Sequence, residues 1–194
     1  RGLGDVYKRQ VVQEMTDQLV LDLVEHGFVT DQIVLTVGYD IENLTDPVRA
    51  KRYHGEVTTD RYGRKIPKHA HGTANLQNHT SSAITVVEKT LELYDRIINP
   101  DLLIRRIYVT ACHVRTEQEA QKEQTYEQMS LFDFAEETEE QKAQKQALQK
   151  EKQMQKAMLS IKQRYGKNAI LKGTNFKEGA TMRQRNGQIG GHRA

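Results

Sequence analysis

The chain of 194 residues carries a single cysteine, Cys112. One thiol excludes an internal disulfide framework and fits a reducing compartment. Long apolar runs are missing too. None approaches the roughly 20 residues that a membrane-spanning helix needs, and no signal-peptide pattern is visible. A cytoplasmic protein with no membrane partner is therefore expected. Hydrophobic residues make up 37% of the chain, and mean hydropathy is -0.75. That is low for a wholly globular protein, so one modest domain plus polar tails is expected rather than two full cores.

Catalytic groupings are also scarce. Nucleotidyl transfer would need carboxylates converging on two metals, and no such cluster sits on apolar strand ends here. Gly190-Gly191 is too little for a phosphate loop. His69-x-His71 puts two imidazoles on one strand face, but a metal would need further ligands nearby, so phosphate contact or plain exposure is the stronger reading. Cys112 falls on an expected central strand beside apolar residues and reads as an inert core thiol. The residues describe a binding module, with no catalytic residue, metal site or cofactor expected in the chain itself.

What is present is unevenly spread charge. Residues 1–116 hold 15 Lys and Arg against 15 Asp and Glu, residues 117–151 hold 4 against 10, and residues 152–194 hold 10 against 1. The basic pI of about 8.9 thus belongs to the C-terminal tail. A basic, aromatic-poor tail suits a polyanion partner, a solvated face being the ordinary alternative.

Arg1 to Gln10 resembles a translated sequencing-adapter remnant, so it is expected to be non-native and to stand in for a missing natural N-terminus. Val11 to His26 then reads as an amphipathic helix through Val12, Met15, Leu19, Leu23 and His26, with Glu14 and Asp17 on other faces. Ile33 to Tyr39 is a β-branched strand. Asp40 to Lys68 is a long connection with turn signals at Asp46-Pro47 and Tyr62-Gly63, read as a basic hairpin or mobile loop. His69 to Gln77 alternates as a strand. Thr80-Ser81-Ser82 offers cap hydroxyls to a helix whose expected stripe is Ile84, Val87, Leu91, Tyr94 and Ile98. Leu102 to His113 is another strand, with Ile107, Val109 and Ala111 on one face and Arg106, Tyr108 and Thr110 on the other.

The expected fold is therefore α+β. One strand before Val11 would complete a split β-α-β-β-α-β sheet with two helices on one face. Its other face would be polar, as a surface reading a nucleic-acid backbone requires, or simply solvated. Glu136 to Tyr165 has high helix propensity, with Met154, Met158, Ile161 and Tyr165 as a stripe. The part after the sheet domain is expected to be a largely helical or disordered tail, the basic stretch beyond Gly166 being the one that could be disordered when isolated.

Tyr126 to Phe134 carries large apolar side chains between flanks too polar to bury them. Leu131 and Phe132 could fold back onto the domain, or the cluster could enter another protein's pocket.

These pieces together resemble the little-finger domain and tail of Y-family translesion DNA polymerases, the DNA polymerase IV and UmuC-like group. The likeness is closer to the UmuC-like branch of Gram-positive bacteria. It is carried by Val37-Gly38-Tyr39-Asp40, by Asp60-Arg61-Tyr62-Gly63-Arg64-Lys65-Ile66-Pro67-Lys68-His69-Ala70-His71-Gly72-Thr73-Ala74-Asn75-Leu76, by Thr80-Ser81-Ser82 and by Asn99-Pro100-Asp101-Leu102-Leu103-Ile104-Arg105-Arg106-Ile107. Arg164 to Leu171 and Arg185 to His192 extend it into the tail. Gln128-Met129-Ser130-Leu131-Phe132 is similar to the family's sliding-clamp-binding pentapeptide.

The resemblance implies a little-finger-like DNA-binding domain over 11–115, a linker with the clamp peptide over 116–140, and a helical then basic tail over 141–194. It implies that Lys68, His71, Thr73, Asn75, Arg105, Arg106 and Tyr108, with Thr36, meet the backbone of damaged primer-template DNA. It implies that Gln128, Met129, Ser130, Leu131 and Phe132 meet the β sliding clamp. The family's catalytic part, where Mg2+ is expected, would precede this sequence, so a monomeric chain without polymerase activity of its own is expected. Two other readings stay open: a stand-alone nucleic-acid-binding adaptor, and a helix-pairing module built on Glu136 to Tyr165.

Overall fold

The computed structural model describes residues 3–123, 139–189 and 192–193. Helix α1 (Leu3–His26) leads into strand β1 (Phe28–Tyr39). Two short helices follow, α2 (Glu42–Thr45) and α3 (Pro47–Arg52), then the hairpin β2 (Val57–Thr59) and β3 (Lys65–Pro67). Next come β4 (Ala70–Thr80), α4 (Ala83–Ile97), β5 (Ile104–Cys112) and β6 (Arg115–Thr116). A helical stretch α5 spans 117–123. The C-terminal part holds α6 (Glu139–Tyr165), a 3-10 turn (Gly173–Phe176), α7 (Met182–Arg185) and the pair β7 (Gln188–Ile189) and β8 (His192–Arg193).

The main sheet runs β4-β1-β5, antiparallel at both junctions, with β6 extending the start of β1. Strand β1 is central because its β-branched run can be buried and hydrogen-bonded on both edges. Strands β4 and β5 are parallel to one another, joined by α4 and separated by β1, which makes a split β-α-β unit. Ile33, Leu35 and Val37 point inward and are fully buried, meeting Val12 and Val20 of α1 and Val86, Leu93 and Tyr94 of α4. Gly72 lets α4 approach: a Cβ there would lie 2.8 Å from Leu93 Cδ1. The fold is α+β, with the helices on one face of a small antiparallel sheet.

Several local expectations change. Helix α1 begins at Leu3, so residues 3–10 continue the helix ahead of Val11. The buried side of α4 is Ala83, Val86, Thr90, Leu91, Leu93 and Tyr94, whereas Ile84 is 71% exposed. The apolar residues form one broad side of that helix with Ile84 at its edge, and the sheet covers only part of that side. Asp46-Pro47 is a helix start, not a turn: the Asp46 carboxylate accepts the N–H groups of Val48 (3.0 Å) and Arg49 (2.8 Å), and Pro47 takes the first helical position. The long connection is thus partly helical. Buried Asn43 ties it down, exchanging bonds with the backbone of Leu103 at 2.8 and 3.0 Å.

The buried side of α6 is Glu151, Gln155 and Met158, while Met154 and Tyr165 of the expected stripe are exposed. Glu151 sits at the start of α4, accepting from the Ser82 hydroxyl (2.7 Å) and the Ile84 N–H (3.2 Å). A carboxylate there meets unsatisfied amides and the positive end of the helix dipole. Residues 172–181 lie along α1. Glu14, wholly buried, accepts from Asn175 Nδ2 and from the N–H and hydroxyl of Thr181, and Lys172 pairs with Asp17. The polar side of α1 is therefore an internal seam beneath the basic tail.

Candidate nucleic-acid interface

Among the described residues, alternation along three strands leaves one sheet face without a helix. Register puts Thr36 between His71 and Tyr108, Val34 between Thr73 and Thr110, and Gln32 between Asn75 and Cys112. All of these positions point away from the helices, since Ile33, Leu35 and Val37 take the inner side. His71, Thr73, Asn75, Arg106 and Tyr108 are exposed. Five of the seven expected DNA-contacting residues thus share one surface.

Its polar groups are linked across strands. The Thr36 hydroxyl is 2.9 Å from His71 Nδ1, which leaves His71 Nε2 free to face outward. Gln32 Nε2 donates to Asn75 Oδ1 at 2.9 Å. The Asn75 amide nitrogen and the Thr73 and Thr110 hydroxyls remain as neutral groups able to donate. Arg106 supplies the fixed charge: its stem lies over Gly38, where a Cβ would come within 2.8 Å of Arg106 Cγ. Its Nη1 approaches the Tyr108 hydroxyl at 3.5 Å. Glycine at position 38 is what allows this side chain to cross β1.

The remaining two lie at the end of the face and are engaged. Strand β5 carries an extra residue where Gly38 pairs with Arg106 and Tyr39 with Ile104. This β-bulge turns Arg105 out of the alternation, 3.5 Å from the Asp40 carboxylate. Lys68 precedes β4 and pairs with Glu56 at 2.7 Å. The His69 and His71 rings lie edge to face at 6.2 Å. Among the described residues, no three His, Cys, Asp or Glu side chains form a metal-binding group.

Cys112 needs a correction. It pairs with Gln32 on the outer face and is only half-buried, on an edge strand of the β4-β1-β5 order, so it is not a core thiol. The wrong expectation came from placing its strand in the middle of the sheet. Sequence reading also missed Asp31, where the β1–β4 pairing is irregular. Its carboxylate meets His113 Nδ1 at 2.8 Å and His79 Nε2 at 3.8 Å, closing the far end of the same sheet.

Gln128, Met129, Ser130, Leu131 and Phe132 lie outside the described residues. A cleft of about 880 Å³ opens on the helical side, between α1, α4 and α6, away from the sheet face. No described helix is long and apolar enough to cross a membrane.

Comparison with protein-family models, with curated proteins and with solved structures gives no match for this chain.

Proposed function

We propose that this chain is the DNA-gripping and clamp-tethering part of an error-prone lesion-bypass DNA polymerase of the Y family, acting in DNA repair and the SOS response. The observation that carries the reading is the helix-free sheet face, where Arg106 supplies charge and His71, Thr73, Asn75 and Tyr108 supply neutral polar groups. Such groups hold a phosphate backbone without reading bases, which suits a template whose bases are damaged. The balanced charge of residues 1–116 fits a surface that relies on hydroxyls and amides as well as on cations. In this reading the domain is a little finger. Nucleotide transfer and its Mg2+ belong to a part of the parent outside this sequence.

The second contact in this reading is Gln128 to Phe132. Gln128 bonds at the rim of the β sliding clamp's pocket, Met129 and Leu131 fill a groove, and Phe132 inserts deepest. Truncating such an anchor typically costs about 2 kcal/mol or more.

Two measurements test the proposal on a monomeric, cytoplasmic chain. Binding to a labelled primer-template duplex is expected to be sequence-independent and to weaken as salt rises. Replacing Arg106 and Thr73 with alanine should lower it, and unchanged binding removes the sheet face from the reading. A peptide covering 124–136 should retain a Gram-positive β clamp, and retention that survives Leu131→Ala plus Phe132→Ala removes the tether.

A further inference from the structure

The β2–β3 hairpin projects from the end of the sheet and closes on itself. Asp60 N–H donates to the Arg64 carbonyl at 2.9 Å, and Gly63 N–H to the Asp60 carbonyl at 3.0 Å. Asp60 Oδ1 also accepts the N–H groups of Tyr62 (2.9 Å) and Arg64 (3.0 Å). Its other oxygen takes Arg64 Nε at 2.9 Å and Nη2 at 2.7 Å. Gly63 has φ +76°, a conformation that favours glycine. The tip is built by its own bonds.

What this frame displays is an aromatic ring held with two cations. Tyr62 is 64% exposed, with the Arg61 guanidinium carbon 4.6 Å and that of Arg64 5.1 Å from its ring centre. Arg64 is committed to Asp60. Among the described residues, Arg61 bonds only the Tyr62 hydroxyl, and neither it nor Lys65 meets a carboxylate. The ring fixes the Arg61 fork while most of its five N–H donors stay open. A planar fork with open donors matches a phosphate group bidentately, and holding it in place beforehand lowers the entropy lost on binding.

The tip also belongs to the same end of the molecule as the outer face. Lys68 N–H donates to the Glu56 carbonyl at 2.8 Å, which ties the base of the hairpin to the end of the sheet where Val37 pairs with Ala70 and Gly38 with Arg106. We propose that Arg61, positioned by Tyr62, forms a second phosphodiester contact that extends the sheet's grip along a DNA strand. The occupant is nucleic-acid backbone, because the displayed charge is positive and adjoins a polar DNA-binding face. This inference rests on the proposed DNA-binding reading.

The test measures the affinity of the full chain for a labelled primer-template duplex over a series of salt concentrations. Arg61→Gln is expected to weaken binding by about three- to tenfold and to reduce the salt slope by about one. Tyr62→Leu should weaken it in the same direction by releasing the fork, while Tyr62→Phe, which keeps the ring and loses the hydroxyl, should weaken it less. Arg106→Gln is the control on the sheet. If Arg61→Gln and Tyr62→Leu bind like the parent while Arg106→Gln is weakened, the hairpin contact is overturned and the sheet reading stands. If Arg61→Gln is weakened and Arg106→Gln is not, the hairpin stands and the sheet reading falls. A parent chain that binds no duplex overturns both.

Discussion

Glu14 and Thr181 stand 167 positions apart, yet the Glu14 carboxylate accepts both the backbone N–H of Thr181 at 2.9 Å and its hydroxyl at 3.0 Å. Asn175 adds a third bond at 3.2 Å. Burial lowers the pKa of nearby Arg185, and the field of Glu14 partly offsets that. Glu14→Ala leaves these donors and a half-buried cation without their partner. A loss of about 2–4 kcal/mol is expected in denaturant unfolding. Proteolytic cleavage of the tail should become faster in parallel, and Glu14→Gln, which keeps one acceptor, should lose less.

Gly38 and Arg106 act as one unit, because the arginine stem occupies the space a Cβ would take. Gly38→Ala presses on the arginine stem at Cγ, so a stability loss of about 1–3 kcal/mol should accompany it. Duplex affinity should fall as it does for Arg106→Ala. In the double variant the losses should not add, since the alanine acts only by moving the side chain that is then removed. Additive losses would separate the two residues.

Asp60 gives a pH signature confined to the hairpin. The Arg64 side chain first, then the Arg64 and Tyr62 N–H groups, hold its carboxyl well below the usual range, at about 2. Ordinary aspartate titrates near pH ~4, so the turn's contribution is fully present above that value and is lost as pH falls through about 2. In an NMR titration the Tyr62 and Arg64 amide signals should move with a midpoint near 2. A midpoint near ~4 would mean that the turn is open in solution.

Cys112 offers a footprint of the sheet face. Half-buried opposite Gln32, it should react with a maleimide in the native state, more slowly than a free thiol. Bound duplex should slow the labelling further. Labelling that needs denaturant would return Cys112 to the core.

Legibility in the sequence followed the range of the forces involved. Strands β1, β4 and β5 were readable because alternation is local, and Ser82 was readable as a cap because its hydroxyl meets Thr85 N–H only three residues on. The outward set of His71, Thr73, Asn75, Arg106 and Tyr108 followed from the same alternation. Arg105 escaped because one inserted residue in β5 is visible only against β1. Glu14 escaped because a carboxylate on the polar side of a helix looks solvated until a segment 161 residues later covers it. The rotation of α4 escaped because its apolar side is wider than the strip the sheet covers, so that Ile84 at one edge looks as buried as Val86.

The central place of β1 also bears on how the chain is made. Strand β1 leaves the ribosome before either of its main partners, as an apolar segment with two bare edges. Its first partner ends at Thr80 and its second at Cys112. Both pairings are long-range, so loop closure precedes any reward from the ladder and the sheet should form slowly. Until Cys112 has been synthesised, β1 has at least one edge open to other nascent chains. Truncation between Thr80 and Cys112 should therefore give aggregates rather than a smaller folded domain.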